Sequence, residues 1–201
     1  MKFLKQKLRK KIKDDIIDNI DLKKKIIKKN IDEIIKVQEI CISSLRSGGK
    51  LIFCGNGGSA SDAHHLATEL LVRLRPNINR KPIPAISLNL DTTSLTACAN
   101  DYSYNIYLSR MLEALGNEND VLIVISTSGN SKNIIKVLKK AKNMKINSVA
   151  LLGKKGGAAK NYCENNIIID SNNTARIQEA HICIGHILME IIENHLINEK
   201  S

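Results

Sequence analysis

From residue 50 onward the chain alternates between short apolar runs and longer segments of helical period. Leu51–Cys54, Pro84–Leu88, Val121–Ile125, Ser148–Leu152 and Asn166–Ile169 are almost unbroken in their apolar character. Runs this short, without polar alternation, read as strands buried on both faces. Between them Ser59–Arg75, Thr92–Ala99 with Tyr104–Leu115, Asn130–Asn143, a short piece near Ala158–Tyr162 and a long last stretch Thr174–Leu196 read as helices. Strand and helix in this order predict an α/β fold, a three-layer sandwich around a five-stranded parallel sheet. Ligands of such sheets sit beyond the carboxyl ends of the strands, so the loops after the strands carry the candidate chemistry.

Residues 1–47 have a different pattern. They read as helix, with a break expected near Asn19–Asp21 and a stop at Ser47-Gly48-Gly49. Ile27, Ile31, Ile34, Val37, Cys41 and Leu45 recur at spacings of three and four, which makes one apolar stripe. The expected organisation is a helical segment over 1–47 and an αβ domain over 48–197. The stripe is expected to lie partly on its own core and partly against another subunit.

Charge alters this picture only at the amino end. The first fifty residues hold fifteen Lys/Arg against seven Asp/Glu and so carry most of the formal +11. The basic residues are interleaved with Ile at helical spacing and base-stacking aromatics are nearly absent, which reads as a solvated helix face and predicts no nucleic-acid partner. No apolar run is long enough to span a bilayer. Met1-Lys2-Phe3-Leu4-Lys5 lacks the apolar core of a signal peptide. Cysteines 41, 54, 98, 163 and 183 are odd in number and contain no C-x-x-C pair. Together these predict a cytoplasmic protein with reduced thiols and no membrane association. With no Trp and two Phe, the core must be built from Ile, Leu, Val and Ala.

Two loops carry the strongest signals. After the first strand, Gly55-Asn56-Gly57-Gly58-Ser59 opens into a helix, a layout in which glycines admit a ligand to the backbone and helical N–H groups face an anion. That helix puts His65 and Glu69 four residues apart on one face, a spacing shared by surface pairs and by acid–base or metal sites. After the third strand, Ser126-Thr127-Ser128-Gly129-Asn130-Ser131 places four hydroxyls and a glycine before another helix. One hydroxyl is enough for a cap; four suit a phosphate. No Lys follows in Walker spacing, so a nucleoside triphosphate site is not indicated. Asn100-Asp101 reads as a polar turn between helical stretches. On the last helix Gln178 and His186 are eight residues apart, about 80° round the axis, and can face one pocket. His181 is about 140° from His186, so only one of these two histidines is expected in it.

These motifs, in this order, resemble the sugar isomerase (SIS) domain, and within it the bacterial phosphoheptose isomerases. The resemblance rests on residues 54–59, Asp62-Ala63 with His65 and Glu69, Asn100-Asp101, residues 126–131, and Arg176-Ile177-Gln178-Glu179 with His181 and His186. It implies a flavodoxin-like strand order and a homotetramer with active sites between subunits. It also implies conversion of sedoheptulose 7-phosphate to D-glycero-D-manno-heptose 7-phosphate, for the heptose of lipopolysaccharide or related surface glycans. By resemblance, zinc is held by His65, Glu69, Gln178 and His186, with Glu69 as carbon base and His186 as acid. The substrate is then contacted by Asn56, Gly57, Gly58, Ser59, Glu69, Arg73, Asn100, Asp101, Ser126, Thr127, Ser128, Ser131 and Gln178. The same family includes a non-enzymatic tetramer that binds the replication initiator, and isomerases of other sugar phosphates; these are the alternatives.

Overall fold

The computed structural model describes residues 2–198; Met1, where the predicted helical segment begins, lies outside the described residues. Strands β1 (Leu51–Gly55), β2 (Ala85–Ser87), β3 (Val121–Ser126), β4 (Asn147–Gly153) and β5 (Asn165–Ile169) form one parallel sheet in the order β2-β1-β3-β4-β5. This is the α/β sandwich and flavodoxin-like order that the pattern and the resemblance predict. Alternate residues feed opposite layers, as strand geometry requires. Leu51, Phe53, Val121, Ile123, Val149, Leu151 and Ile167 enter one core. Ile52, Cys54, Leu122, Val124, Ala150 and Leu152 enter the other. Both faces are buried, which is why the runs in the sequence are continuous.

On the first face lie α2 (Ile31–Arg46), α3 (Gly58–Leu71) and α7 (Thr174–Asn198). The second face is covered by α4 (Thr92–Asp101), α5 (Tyr107–Leu115) and α6 (Lys132–Asn143). Sequence neighbours β1 and β2 lie side by side, whereas β3 lies on the other side of β1. The connections therefore diverge at the carboxyl ends of β1 and β3, and a crevice opens there.

Several expected boundaries move. The break in the amino-terminal helices is at Asn30, not at Asn19–Asp21: α1 runs unbroken from Lys2 to Lys29. No Gly or Pro interrupts Asn19-Ile20-Asp21, and Asn19 is held by its side chain against Glu179 of α7. Asn30 is buried and leaves helical geometry, with φ −122° and ψ 5°. Of the predicted stripe, Ile34, Val37 and Cys41 are buried on the core, while Ile27 and Ile31 remain 64% and 48% exposed. Helix α3 ends at Leu71, short of Arg75, because Val72 turns out at ψ −83°. Asn100 and Asp101 are the last residues of α4, not a turn between helices.

Helix α1 docks on α7 through few contacts. Leu22 is buried, Arg176 Nη1 donates to the Asp15 carbonyl at 2.6 Å, and Asn19 meets Glu179. Within α7, His181 is fully buried and neither ring nitrogen has a hydrogen-bond partner. Burial pushes its pKa down to about 4, only partly opposed by the backbone of Leu152. A buried imidazole is thus neutral in the native state and protonatable in the unfolded chain.

The sign of the resulting pH dependence follows from linkage. Between the ordinary value of 6.5 and about 4 the unfolded chain binds a proton that the native state refuses, so stability is full above this window and falls as pH drops through it. Urea unfolding at pH 7 and at pH 5 is expected to show a loss of about 2 kcal/mol from this residue. In His181→Leu that part of the pH dependence should be missing; an unchanged slope would show that His181 is not the group responsible.

Candidate active site

The two loops singled out by sequence meet in the crevice between β1 and β3. Gly57 takes a positive φ of 55° at the start of α3, and Gly129 one of 63° in the loop after β3. A β-carbon on Gly129 would lie 2.0 Å from the Gly156 carbonyl, so only glycine lets this loop close onto the one after β4. Asn56 ties the loop after β1 to the first turn of α6: its Nδ2 donates to Asn133 Oδ1 at 2.9 Å and its Oδ1 accepts from Asn133 Nδ2 at 2.7 Å and from the Tyr104 hydroxyl.

The hydroxyls divide into two groups. Ser126 Oγ accepts from the Gly129 N–H at 3.1 Å and Ser128 Oγ from the Asn130 N–H at 3.2 Å, so both shape the loop itself. Ser131 occupies the N-cap position of α6 but makes no capping hydrogen bond, and Thr127, earlier in the same loop, is half-buried. These two hydroxyls are the ones left to meet a ligand. The first turn of α3 is more closed than the sequence implies: the Ser59 N–H bonds to the Asn56 carbonyl, and those of Ala60 and Ser61 to the Gly57 carbonyl. Ser59 itself is buried.

Further along, α3 and α7 lie side by side. A β-carbon at Gly58 would approach Gln178 Nε2 to 2.5 Å, and one at Gly185 would meet Leu66 at 2.7 Å. This close packing brings His65, Glu69 and His186 together, with one donor atom from each lying within 4.8 Å of the others. His65 Nε2 is 2.8 Å from His186 Nε2 and 3.1 Å from Glu69 Oε1. The rings meet edge to face, with centroids 5.0 Å apart and planes at 73°. Two imidazole nitrogens this close either share one proton or face one cation. The three donors fit a metal: in a tetrahedral site with bonds of about 2.0–2.1 Å, neighbouring ligand atoms are about 3.3 Å apart. His181 lies elsewhere, in the core, as the helical angles predict.

Asp62, one turn before His65 on α3, has a buried Oδ2 without a partner. Burial raises its pKa, while His65 and His186 oppose that rise. Its charge therefore favours a cation at the imidazole pair.

Other expected contacts are not made within the chain. Gln178 packs on Gly58, and no hydrogen bond joins it to the histidines among the described residues. Asn100 donates to Asp101 at 2.9 Å, both exposed at the end of α4. Arg73 is exposed beyond the end of α3. Sequence reasoning did not identify Tyr104 or Asn133 as parts of the site, and it quoted Asp62 as a motif residue without giving it a role. Tyr104 and Asn133 meet Asn56 from other elements, and only the polar Asn133 in an otherwise apolar helix face offered a local signal.

Comparison with known proteins agrees with this geometry. The SIS domain family matches residues 18–153. The phosphoheptose isomerase of Clostridium acetobutylicum is 47% identical, over 94% of this chain and 96% of that protein. One from Helicobacter pylori is 50% identical over 79% of this chain and 82% of its own length. The solved phosphoheptose isomerase of Francisella tularensis superposes with a TM-score of 0.88 at 34% identity, covering 92% of this chain and 97% of that one. That of Neisseria gonorrhoeae gives 0.86 at 33% identity, covering 93% and 99%. On the family match, the sequence identity and the superposition together, this chain belongs to the SIS-domain family, among the phosphoheptose isomerases.

Proposed function

We propose that the protein isomerises sedoheptulose 7-phosphate to D-glycero-D-manno-heptose 7-phosphate, supplying heptose for lipopolysaccharide or another surface polysaccharide, in the cytoplasm. The observation that carries this reading is the convergence of Glu69, His65 and His186 beside a hydroxyl-lined crevice. A carboxylate next to paired imidazoles suits proton transfer between adjacent carbons and oxygens, and a non-catalytic scaffold has no use for it. His65 is seven residues on from Gly58, about 10 Å along the helix. A phosphate at the crevice and reacting carbons at the cluster are thus set apart by about the length of an extended sugar.

In the reaction Glu69 takes the proton from C1 of the ketose and returns it to C2. His186 moves the hydroxyl proton in the same sense, from O1 to O2. Thr127 and Ser131, with the backbone of the loop after β3, hold the phosphate. His65, Glu69 and His186, with Gln178 as the fourth donor implied by the resemblance, would hold zinc. When bound, zinc lowers the cost of negative charge on the substrate oxygens.

The protein is further proposed to act as a homotetramer. Leu4, Leu8, Ile12, Ile16 and Ile20 recur every four residues along α1 and are all exposed. Burial of each such side chain is worth about 1.5–3 kcal/mol, and a ridge of this length is covered in a stable assembly. Neighbouring subunits would also bring Arg73, Asn100 and Asp101 into use. No helix among the described residues is long and apolar enough to cross a membrane.

Incubation with sedoheptulose 7-phosphate and product analysis tests the activity directly. Glu69→Gln and His186→Gln are each expected to lower turnover at least about 10²-fold while remaining folded; near-normal turnover in both would refute the assignment. Metal analysis after dialysis should find zinc in the wild type and at least about tenfold weaker retention in His65→Gln. For the assembly, Ile12→Asp with Ile16→Asp should dissociate the protein in sedimentation velocity, and activity should fall with it. A fully active monomer would refute the assembly.

A further inference from the structure

The carboxyl end of α3 is fastened in an unusual way. The last carbonyls of a helix have no partners within it. Here Arg80, from the loop before β2, reaches back to them: Nη2 donates to the Glu69 carbonyl at 2.7 Å and Nη1 to the Leu70 carbonyl at 2.8 Å. Its Nε donates to Glu193 Oε1 of α7 at 2.7 Å. Both side chains are almost wholly buried, 5% exposed for Arg80 and 1% for Glu193. One guanidinium thus joins the backbone of the proposed base to the helix that carries His186.

Arg75 makes the contrast. Its Nε also donates to Glu193, at 2.9 Å, but its other partners are Glu190 and Asn194, all on α7. Arg75 supports Glu193; Arg80 bridges the two helices.

The bridge completes a register. Gln178 lies on Gly58, Gly185 on Leu66, and Glu193 reaches Glu69 and Leu70 through Arg80. His65 and His186 are close to the middle level. Glu193 follows His186 by seven residues, about 20° from the same face of α7. Packing at the first two levels, Gln178 on Gly58 and Leu66 on Gly185, resists approach of the helices but makes no hydrogen bond among the described residues that fixes their axial position. The bonds from Arg80 are directional.

We propose that Arg80, held by Glu193, is a positioning residue for the isomerisation: it sets the axial register of α3 on α7 and so the placement of the Glu69 carboxylate against the His186 imidazole. The proposal rests on the reading of Glu69 and His186 as base and acid. A buried ion pair is weak evidence of a stabilising role, since apolar replacements are often neutral or better. What an apolar pair lacks is the planar fork that serves two successive carbonyls and a carboxylate at once, and a lysine ammonium lacks it too.

Arg80→Lys keeps the charge and removes the fork, and Arg75→Met serves as the control that spares the bridge. Steady-state kinetics with sedoheptulose 7-phosphate and Zn²⁺ titration of the metal-free proteins against a chromophoric chelator are read together, with melting temperatures. Arg80→Lys is expected to lower kcat by about 10–100-fold, as for a displacement of about 1 Å, with KM within about threefold because the phosphate loop is untouched. Its Zn²⁺ affinity should fall about tenfold. Arg75→Met should keep kcat and Zn²⁺ affinity within about threefold of wild type.

The proposal is overturned if folded Arg80→Lys keeps wild-type kcat and Zn²⁺ affinity. It is also overturned if both variants lose kcat in proportion to their loss of melting temperature. Should Arg80→Lys not fold, Glu193→Gln, which keeps shape and one acceptor oxygen, is held to the same two outcomes. A wild type inactive on sedoheptulose 7-phosphate would refute the isomerase reading itself, whereas the Zn²⁺ titration reports on the register without substrate.

Discussion

The structure depends on one constraint: five parallel strands that must be covered on both faces. Parallel strands need crossovers, the crossovers here are helical, and the helices can meet the apolar demand only by lying on alternate sides of the sheet. Phe53 and Ile123 point to one layer, and Ile52 and Leu122 to the other. Because every strand runs the same way, every loop that follows a strand opens on one edge. The reversal of winding between β1 and β3 makes that edge concave at one place. The glycine-rich and serine-rich loops sit there because of topology.

The same constraint puts α3 and α7 side by side. They are far apart in sequence, but β1 and β5 both send their flanking helices to the first face. The contact between them depends on Gly58 and Gly185, where a β-carbon would lie 2.5 and 2.7 Å from side-chain atoms of the facing helix. Polar groups gather along this seam: the His65, Glu69 and His186 cluster midway and the Arg80–Glu193 pair at the end. Burial would raise the Glu193 pKa, yet two guanidiniums hold it below the usual carboxylate range. Charge in this seam is therefore compensated where it is structural. At Asp62 Oδ2, beside the imidazoles, it is left open.

Helix α1 is related to the fold in another way. Its carboxyl half is anchored by Leu22, Asn19 and the Arg176 bond, and its amino half carries an exposed apolar ridge. Interleaved lysines make the rest of that half a polar helix face. The sheet is covered within one chain, and the ridge of α1 is the surface assigned to the proposed homotetramer.

Much of this was legible in the sequence because it depends on local rules. Continuous apolar runs mark doubly buried strands, glycines mark the positive-φ turn at Gly57, and 3.6-residue geometry separates His181 from His186. The pairing of His65 with Glu69 is likewise a spacing of one helical turn. Where local rules compete, the sequence misled: Asn19 and Asp21 look like a break but are solvated or bridged side chains in a continuous helix, and the buried Asn30 is the true one. The four hydroxyls of the loop after β3 look alike in sequence, and only the folded loop shows that Ser126 and Ser128 bind their own backbone. Tertiary structure alone decided the approach of His186 to His65, the tie of Asn56 to Asn133 and Tyr104, and the reach of Arg80 from a loop to the end of a helix. Each joins residues from separate elements, and a distance set by the packing of a whole layer has no counterpart in the spacing of residues along the chain.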